Sequence, residues 1–469
     1  MIPAILLVVS VVVAILAVGR VRSQDSGLAS DSALAVLTTV ALALAVLSTL
    51  TTAHLLFGPA VALAAGAGIG ALVGVPALLA RRTPRALTPP SPRGAPLPRA
   101  LLILAVVGGG IAAYVVVSRL ARRPDGEWDA FAFWNLRARL FQRASGDLTV
   151  VFSPDMAGSH PDYPLLVSGL VAFGETLLGD GSSAPSAVVA LLFGALAVAG
   201  IVAVLRPRRG AAVAIVAALA FLATPHVLRE ISWRYADIPL GALLLLAVGW
   251  LLSAHERPAG ARSAIVLAGI CTSLGAWTKN EGAVHVLAVG LALIALPPVG
   301  ISRRAALGRY LMGAAPFLVV LVAFKLGLAP QNDLVAGTDG SSALARLTDP
   351  ARYVEIGKTW FAEIARFSHW NFILPAAMLV AIGGRARGRA VAATGVVVLS
   401  VAAAYAAVYV LTPQDLVWHL RHSIDRLHFH IYPTLLVLAA LRGLPRPPVV
   451  QAESEAETGP RLPVPSPPP

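Results

Sequence analysis

The residues of this sequence best suited to chemistry are polar groups stranded between apolar runs. Residues 125–141 read DGEWDAFAFWNLRARLF, which puts Asp125, Glu127 and Asp129 within five positions. SHPDYPLL adds His160 and Asp162, and TPHVLREISWRYADIPLG adds Arg229, Glu230, Arg234 and Asp237. AWTKNEG carries Lys279 and Glu281, and DLVWHLRHSIDRLHFHIYP carries Arg421, Asp425 and Arg426. A carboxylate in reach of a hydroxyl can remove its proton as a general base. Arg offers a phosphate a planar fork and Lys a compact point charge. Base and cations together suit displacement at a carbon bearing a lipid phosphate, the charge on the departing phosphate being held by Lys and Arg.

Of the 37 basic residues only Lys279, Lys325 and Lys358 are lysines, so the chain uses Arg wherever a generic positive charge serves. Each group also has a structural reading. Asp129 could cap a helix, worth about 0.5–2 kcal/mol, and Lys279 could snorkel from a helix end. Arg421 and Arg426 suit anionic lipid headgroups equally well. His160 and Asp162 lack a third ligand and read as loop hydrogen bonding, and the irregular histidines of WHLRHSIDRLHFH read as an interfacial helix, so no metal site is assigned. No GxxxxGK[ST] loop, HExxH helix or Gly-x-Ser-x-Gly elbow is present, and nucleotide-driven, zinc and serine-hydrolase chemistries lack support.

The elements that must position these groups are membrane helices. The chain of 469 residues is 57% hydrophobic and 13% charged, about half the charged share of a soluble domain. Its apolar runs are continuous rather than alternating, which predicts helices and not a barrel. Runs near 3–19, 32–56, 59–80, 99–119, 184–205, 210–225, 237–254, 262–278, 282–298, 309–328, 371–384, 389–411 and 430–443 give an all-α polytopic protein of about thirteen spans. The first run lacks a basic flank before it and reads as a retained span. The single Cys271 permits no disulfide within the chain.

Arginine placement orients the spans. RRTPRALTPPSPRGAPLPR (81–99), RPRR (206–209), HERPAGAR (255–262), RRAALGR (303–309), RARGR (385–389) and Arg442 with Arg446 fall on one side, the cytoplasmic one. Residues 1–80 form a three-span extension, 81–98 a cytoplasmic linker, 99–443 the core, and 444–469 a disordered cytoplasmic tail. The apolar stretch PLLVSGLVAFGETLLG (164–179) must then be interfacial or re-entrant, inside a long outer loop of residues 120–183. In helical register Trp128, Phe131, Trp134 or Ala138, and Phe141 share one face, as in a helix lying at headgroup level. The net charge of +13 follows from positive-inside arginine, with no basic soluble domain to hold nucleic acid.

The acids and bases thus gather at the outer membrane face, while the span centres carry almost none. A coupled transporter needs charge near the midplane, so an enzyme working in the outer headgroup layer is favoured over a lipid-linked saccharide flippase or a scaffold.

This arrangement resembles the GT-C superfamily of membrane glycosyltransferases, and within it the protein-mannosyltransferase and aminoarabinose-transferase type. The features that carry the resemblance are the span 99–119, then DGEWDAFAFWNLRARLF and HPDYPLL in a large first outer loop. The resemblance implies a polyprenyl-phosphate sugar as donor and an acidic catalytic residue in DGEWDA, assigned to Asp129 with Glu127 and Asp125 behind it. It implies a donor-phosphate lysine, Lys279 of AWTKNEG, a following acid, Asp237 of YADIPLG, and an arginine before a late proline, Arg426, with Arg421 beside it. Arg234 is expected to assist at the phosphate, and Glu281, His160 and Asp162 to line the substrate site. The expected reaction is inverting transfer to an acceptor hydroxyl in the plasma membrane, the acceptor being a glycan, lipid or protein. A divalent cation is left open. Three spans precede the matched core and no soluble C-terminal domain follows it, both departures from that pattern.

Overall fold

A computed structural model describes residues 2–23, 31–79, 97–144, 146–179, 181–332, 340–367, 373–385 and 387–444. Residues 81–96 of the expected linker and the tail beyond 444 lie outside them. Among the described residues there are helices and no strand. In chain order they are α1 (Ile2–Ser23), α2 (Ser32–Phe57), α3 (Pro59–Leu79), α4 (Arg99–Arg122), a π-helical turn (Ala130–Asn135), α5 (Leu136–Arg143), α6 (Leu148–Phe152) and α7 (Leu166–Leu178). Then follow α8 (Ala184–Arg209), α9 (Ala211–Leu222), α10 (Pro225–Trp233), α11 (Asp237–Glu256), α12 (Ala261–Ala276), α13 (Gly282–Ala295) and α14 (Arg303–Gly327). The last are α15 (Gly340–Thr348), α16 (Pro350–Arg366), α17 (Ile373–Gly383), α18 (Arg389–Leu411) and α19 (Leu416–Gly443).

A helix lies on each of the thirteen apolar runs, but fewer can cross a membrane unaided. Among the described residues eight are long and apolar enough, and the pair α9–α10, bent by 66°, makes a ninth if it counts as one broken span. At 1.5 Å per residue the 14-residue α13 reaches about 21 Å, short of a hydrocarbon core of about 30 Å. The 28-residue α19 is long enough, but its first half holds Arg421, Asp425 and Arg426. The 13-residue α7 is also too short to cross. It packs on α2, with Gly169 so close to Ser48 and Thr52 that a Cβ there would overlap them.

The bundle has two chemically different ends. At one, Arg208 of α8 reaches Glu256 (2.8 Å) and Ser253 (2.9 Å) of α11, and Arg209 donates to the Leu441 carbonyl of α19 (2.5 Å). Arg442 donates to the carbonyls of Ile382 and Gly384, and Arg389 to that of Pro297. These are the arginine-rich segments that share one side in the sequence reading. Asp129, Asp237, Glu281 and Lys279 lie at the other end.

Within the N-terminal segment, α2 makes polar contacts with later helices. Asp31 at the head of α2 pairs with Arg257, Thr38 accepts from Trp250 Nε1 (2.8 Å), and Ser48 donates to the Leu165 carbonyl (3.0 Å). Through these contacts α2 packs on α11 and on the chain leading into α7.

One expectation changes. The aromatic face predicted for residues 128–141 divides: Trp128 and Phe131 are exposed, while Trp134, Ala138 and Phe141 are buried. The cause is the π-helical turn at Ala130–Asn135, whose i→i+5 closure shifts the phase of everything after it. The first two aromatics point outward, and the later ones seal the loop onto the bundle.

Candidate active site

Asp129, at the start of the π-helical turn, is brought inward by a tight approach. Gly126 has φ +80°, and a Cβ on it would meet Ala130 Cβ at 2.7 Å and the Trp233 carbonyl at 2.8 Å. The backbone N–H of Glu127 donates to that carbonyl (3.4 Å), docking the DGEW turn on the end of α10. Of the three acids in DGEWD, only Asp129 is buried. Asp125 pairs with Arg139 (2.5 Å) at the surface, and Glu127 pairs with Arg123.

Four segments far apart in sequence then meet. Asp129 Oδ2 lies 2.7 Å from Arg426 Nη2 of α19, and Arg426 Nε lies 3.5 Å from Asp237 Oδ2 at the head of α11. Asp237 Oδ1 accepts from Lys279 Nζ (3.0 Å), in the turn between α12 and α13, and from His430 Nε2 (2.7 Å). Lys279 also reaches Glu281 Oε1 at 3.0 Å. The Arg426 guanidinium stacks on Tyr235, 4.9 Å from its ring centre.

Burial sets the electrostatics. Burial pushes the Asp129 carboxyl above the usual carboxylate range, and Arg426 and Lys279 only partly oppose it. For Lys279, burial favours the neutral amine, but Asp237 and Glu281 outweigh it and hold the ammonium above its ordinary value. Burial would raise Glu281, yet Lys279 draws it below its ordinary value. The site thus holds a carboxylate of raised basicity beside two firmly charged cations, the requirement for moving a proton and stabilising a departing phosphate.

The remaining candidates fall elsewhere. Asp162 accepts from Asn280 and Asn332 (2.7 Å each) and lies 3.5 Å from Lys325 Nζ, which also donates to Asn280 Oδ1 (2.8 Å). This pins the residue following Lys279 to the outer loop. His160 adopts φ +47° and stacks on Tyr163 with ring centres 4.8 Å apart, a packing position next to Asp162. Arg421 is exposed.

Arg234 does not join the cluster. It caps α10 in the left-handed conformation (φ +65°), and its guanidinium donates to the carbonyls of Leu120, Arg123, Pro124 and Ser183 and to the Ser186 hydroxyl. It ties the end of α4 to the start of α8, so the phosphate role expected for it is corrected to a structural one. Arg234→Met is expected to lower the unfolding temperature by several degrees, while Arg421→Ala leaves it unchanged and alters turnover less than twofold. Thermal unfolding with a donor-turnover assay checks both.

Sequence reasoning missed the second rank. His430 and Tyr405 back Asp237, and His226 lies 3.3 Å from buried Glu230 and 3.5 Å from Asp425 beside the cluster. The available signal was a polar side chain on an otherwise apolar helix: Tyr405 in α18, and His285 in α13.

Comparisons with known proteins agree with the resemblance. Residues 161–324 match the family model described as dolichyl-phosphate-mannose-protein mannosyltransferase. Among solved structures, ArnT from Cupriavidus metallidurans, bound to undecaprenyl phosphate, matches with a TM-score of 0.50 at 16% identity, over 74% of this chain and 60% of that one. The chain therefore spans less than two thirds of the length of the structure it matches. No curated protein matches it. At that identity the likeness carries the fold alone, that of the ArnT structure.

Proposed function

We propose that this GT-C-fold chain is a plasma-membrane glycosyltransferase that takes a sugar from a polyprenyl-phosphate donor and passes it to an acceptor hydroxyl, with inversion, at the outer membrane face. The observation that carries the reading is the meeting of Asp129, Arg426, Asp237 and Lys279 at the end of the bundle opposite the arginine-rich loops. By the positive-inside rule, the end that carries those loops is the cytoplasmic one. The undecaprenyl phosphate bound to the matching structure and the lipid-linked donor in the family's description favour the same lipid.

In this reading the acceptor oxygen attacks the anomeric carbon from the side opposite the phosphate. Asp129 takes the hydroxyl proton as the new C–O bond forms, and the old C–O bond breaks with its electrons passing to the phosphate oxygen. Lys279 and Arg426, released in part from their carboxylates, hold that charge. Asp237 and Glu281 keep both cations in place between turnovers. Asp162, through Asn280, fixes the turn that carries Lys279.

The test is turnover by the purified chain in lipid vesicles, with a panel of polyprenyl-phosphate pentoses and hexoses. Acceptor-dependent release of polyprenyl phosphate is expected. Because the base must be ionised and burial raises its pKa, kcat/KM should fall as pH drops through a value above the ordinary carboxylate pKa of 3.8, and be full above it. Passage of intact donor across the bilayer without release of polyprenyl phosphate would support a flippase instead.

A further inference from the structure

Behind Asp237 a line of side chains runs into the bundle. His430 Nε2 lies 2.7 Å from Asp237 Oδ1, His430 Nδ1 lies 2.8 Å from the Tyr405 hydroxyl, and that hydroxyl lies 3.0 Å from His285 Nε2. All four residues are buried, and they come from four helices, α11, α19, α18 and α13. His285 Nδ1 has no hydrogen-bond partner among the described residues.

These contacts, with one tautomer assigned at the far end, give each hydrogen bond a direction. Asp237 lies against Lys279, Arg426 and His430 and so is an acceptor, which requires a proton on His430 Nε2. At the far end we assign the His285 proton to Nε2, the nitrogen that faces the Tyr405 oxygen. It donates to the Tyr405 oxygen, whose hydroxyl must then donate to His430 Nδ1. That hydrogen bond leaves His430 neutral, with its proton facing Asp237.

We propose that His285 and Tyr405 form a tautomer lock on His430, which makes Asp237 a fixed acceptor for Lys279 and Arg426, the cations assigned to the donor phosphate. His430, Tyr405 and His285 are positioning residues, acting through Asp237. The charged and titratable groups around His430 are Asp237 of α11, Lys279 and Glu281 of the α12–α13 turn, His285 of α13, Tyr405 of α18, and Arg426 and His428 of its own helix. With the proton on Nδ1 instead, a lone pair would face the Asp237 carboxylate, and that acid would no longer be held in one orientation. In enzymes that rely on a histidine tautomer, the wrong one is costly.

The proposal rests on the function read above, and its test separates the two. The full chain is labelled with ring-¹⁵N histidine, reconstituted in lipid and examined by solid-state NMR, His430 being assigned by difference against His430→Gln. A neutral ring protonated on Nε2 is expected, with a mixture of tautomers in Tyr405→Phe. An Nδ1–H ring or an imidazolium at neutral pH, or an unchanged His430 signal in Tyr405→Phe, would overturn the lock. In the turnover assay, kcat/KM for donor should fall about tenfold in Tyr405→Phe and about a hundredfold in His430→Leu, and His430→Gln, which keeps a donor toward Asp237, should recover most of that loss. Equal impairment of the Gln and Leu variants at matched unfolding temperature would also overturn it. An active Asp129→Asn protein, in contrast, sinks the catalytic reading and leaves the tautomer assignment standing.

Discussion

Asp129→Asn is expected to reduce kcat by about 10²–10⁴-fold, the range supplied by a positioned general base, with the donor KM unchanged or lower. The asparagine amide keeps the shape of the side chain and its approach to Arg426 but cannot take a proton. In the protein as folded, Asp129 competes for Arg426 at 2.7 Å, so removing its charge frees a guanidinium edge for the phosphate. Loss of rate with retained or tighter donor binding is what separates a base from a phosphate ligand, and full steady-state kinetics on the variant measures it. Glu127→Gln and Asp125→Asn should lose less than twofold, because both acids sit outside the cluster on Arg123 and Arg139.

Lys279→Met is expected to lose activity and stability together. Removing a cation aimed at developing charge costs about 10²–10³-fold in kcat. The ammonium lies 3.0 Å from both Asp237 and Glu281 and is 2% exposed, so its removal leaves carboxylates buried without compensation. Breaking a buried pair from one side costs about 3–5 kcal/mol. Lys279→Met combined with Asp237→Asn should regain most of that stability and none of the activity. Unfolding temperatures and donor turnover for the single and double variants form the cycle that checks this. A double variant as unstable as the single would mean that Lys279 supports the fold by packing alone.

The sequence showed most of the architecture and the leading members of the site, for identifiable reasons. Continuous apolar runs mark helices without ambiguity, and each of the thirteen runs carries one. The number able to cross was harder to read, because hydropathy reports the apolarity of α13 and not that the helix stops at Ala295. Asp129, Lys279 and Arg426 stood out as charges in apolar surroundings, a pattern that membrane burial makes expensive. Arg234 stood out by the same criterion and misled, since a guanidinium satisfied by carbonyls has the same sequence signature as one awaiting a phosphate. The aromatic face of residues 128–141 failed because a π-helical turn has no periodicity to read. His285 and Tyr405 were passed over for a different reason: a polar side chain on a largely apolar helix gains meaning only when other helices bring partners to it.

The most direct measurement is a cryo-EM structure of the full chain in lipid nanodiscs with undecaprenyl phosphate. The account predicts phosphate density within hydrogen-bond distance of Lys279 Nζ and the Arg426 guanidinium, with the Asp129 carboxylate withdrawn from Arg426 and facing the open side. Phosphate bound at the opposite end beside Arg208 and Arg442, or against this cluster without touching Lys279 or Arg426, would contradict it.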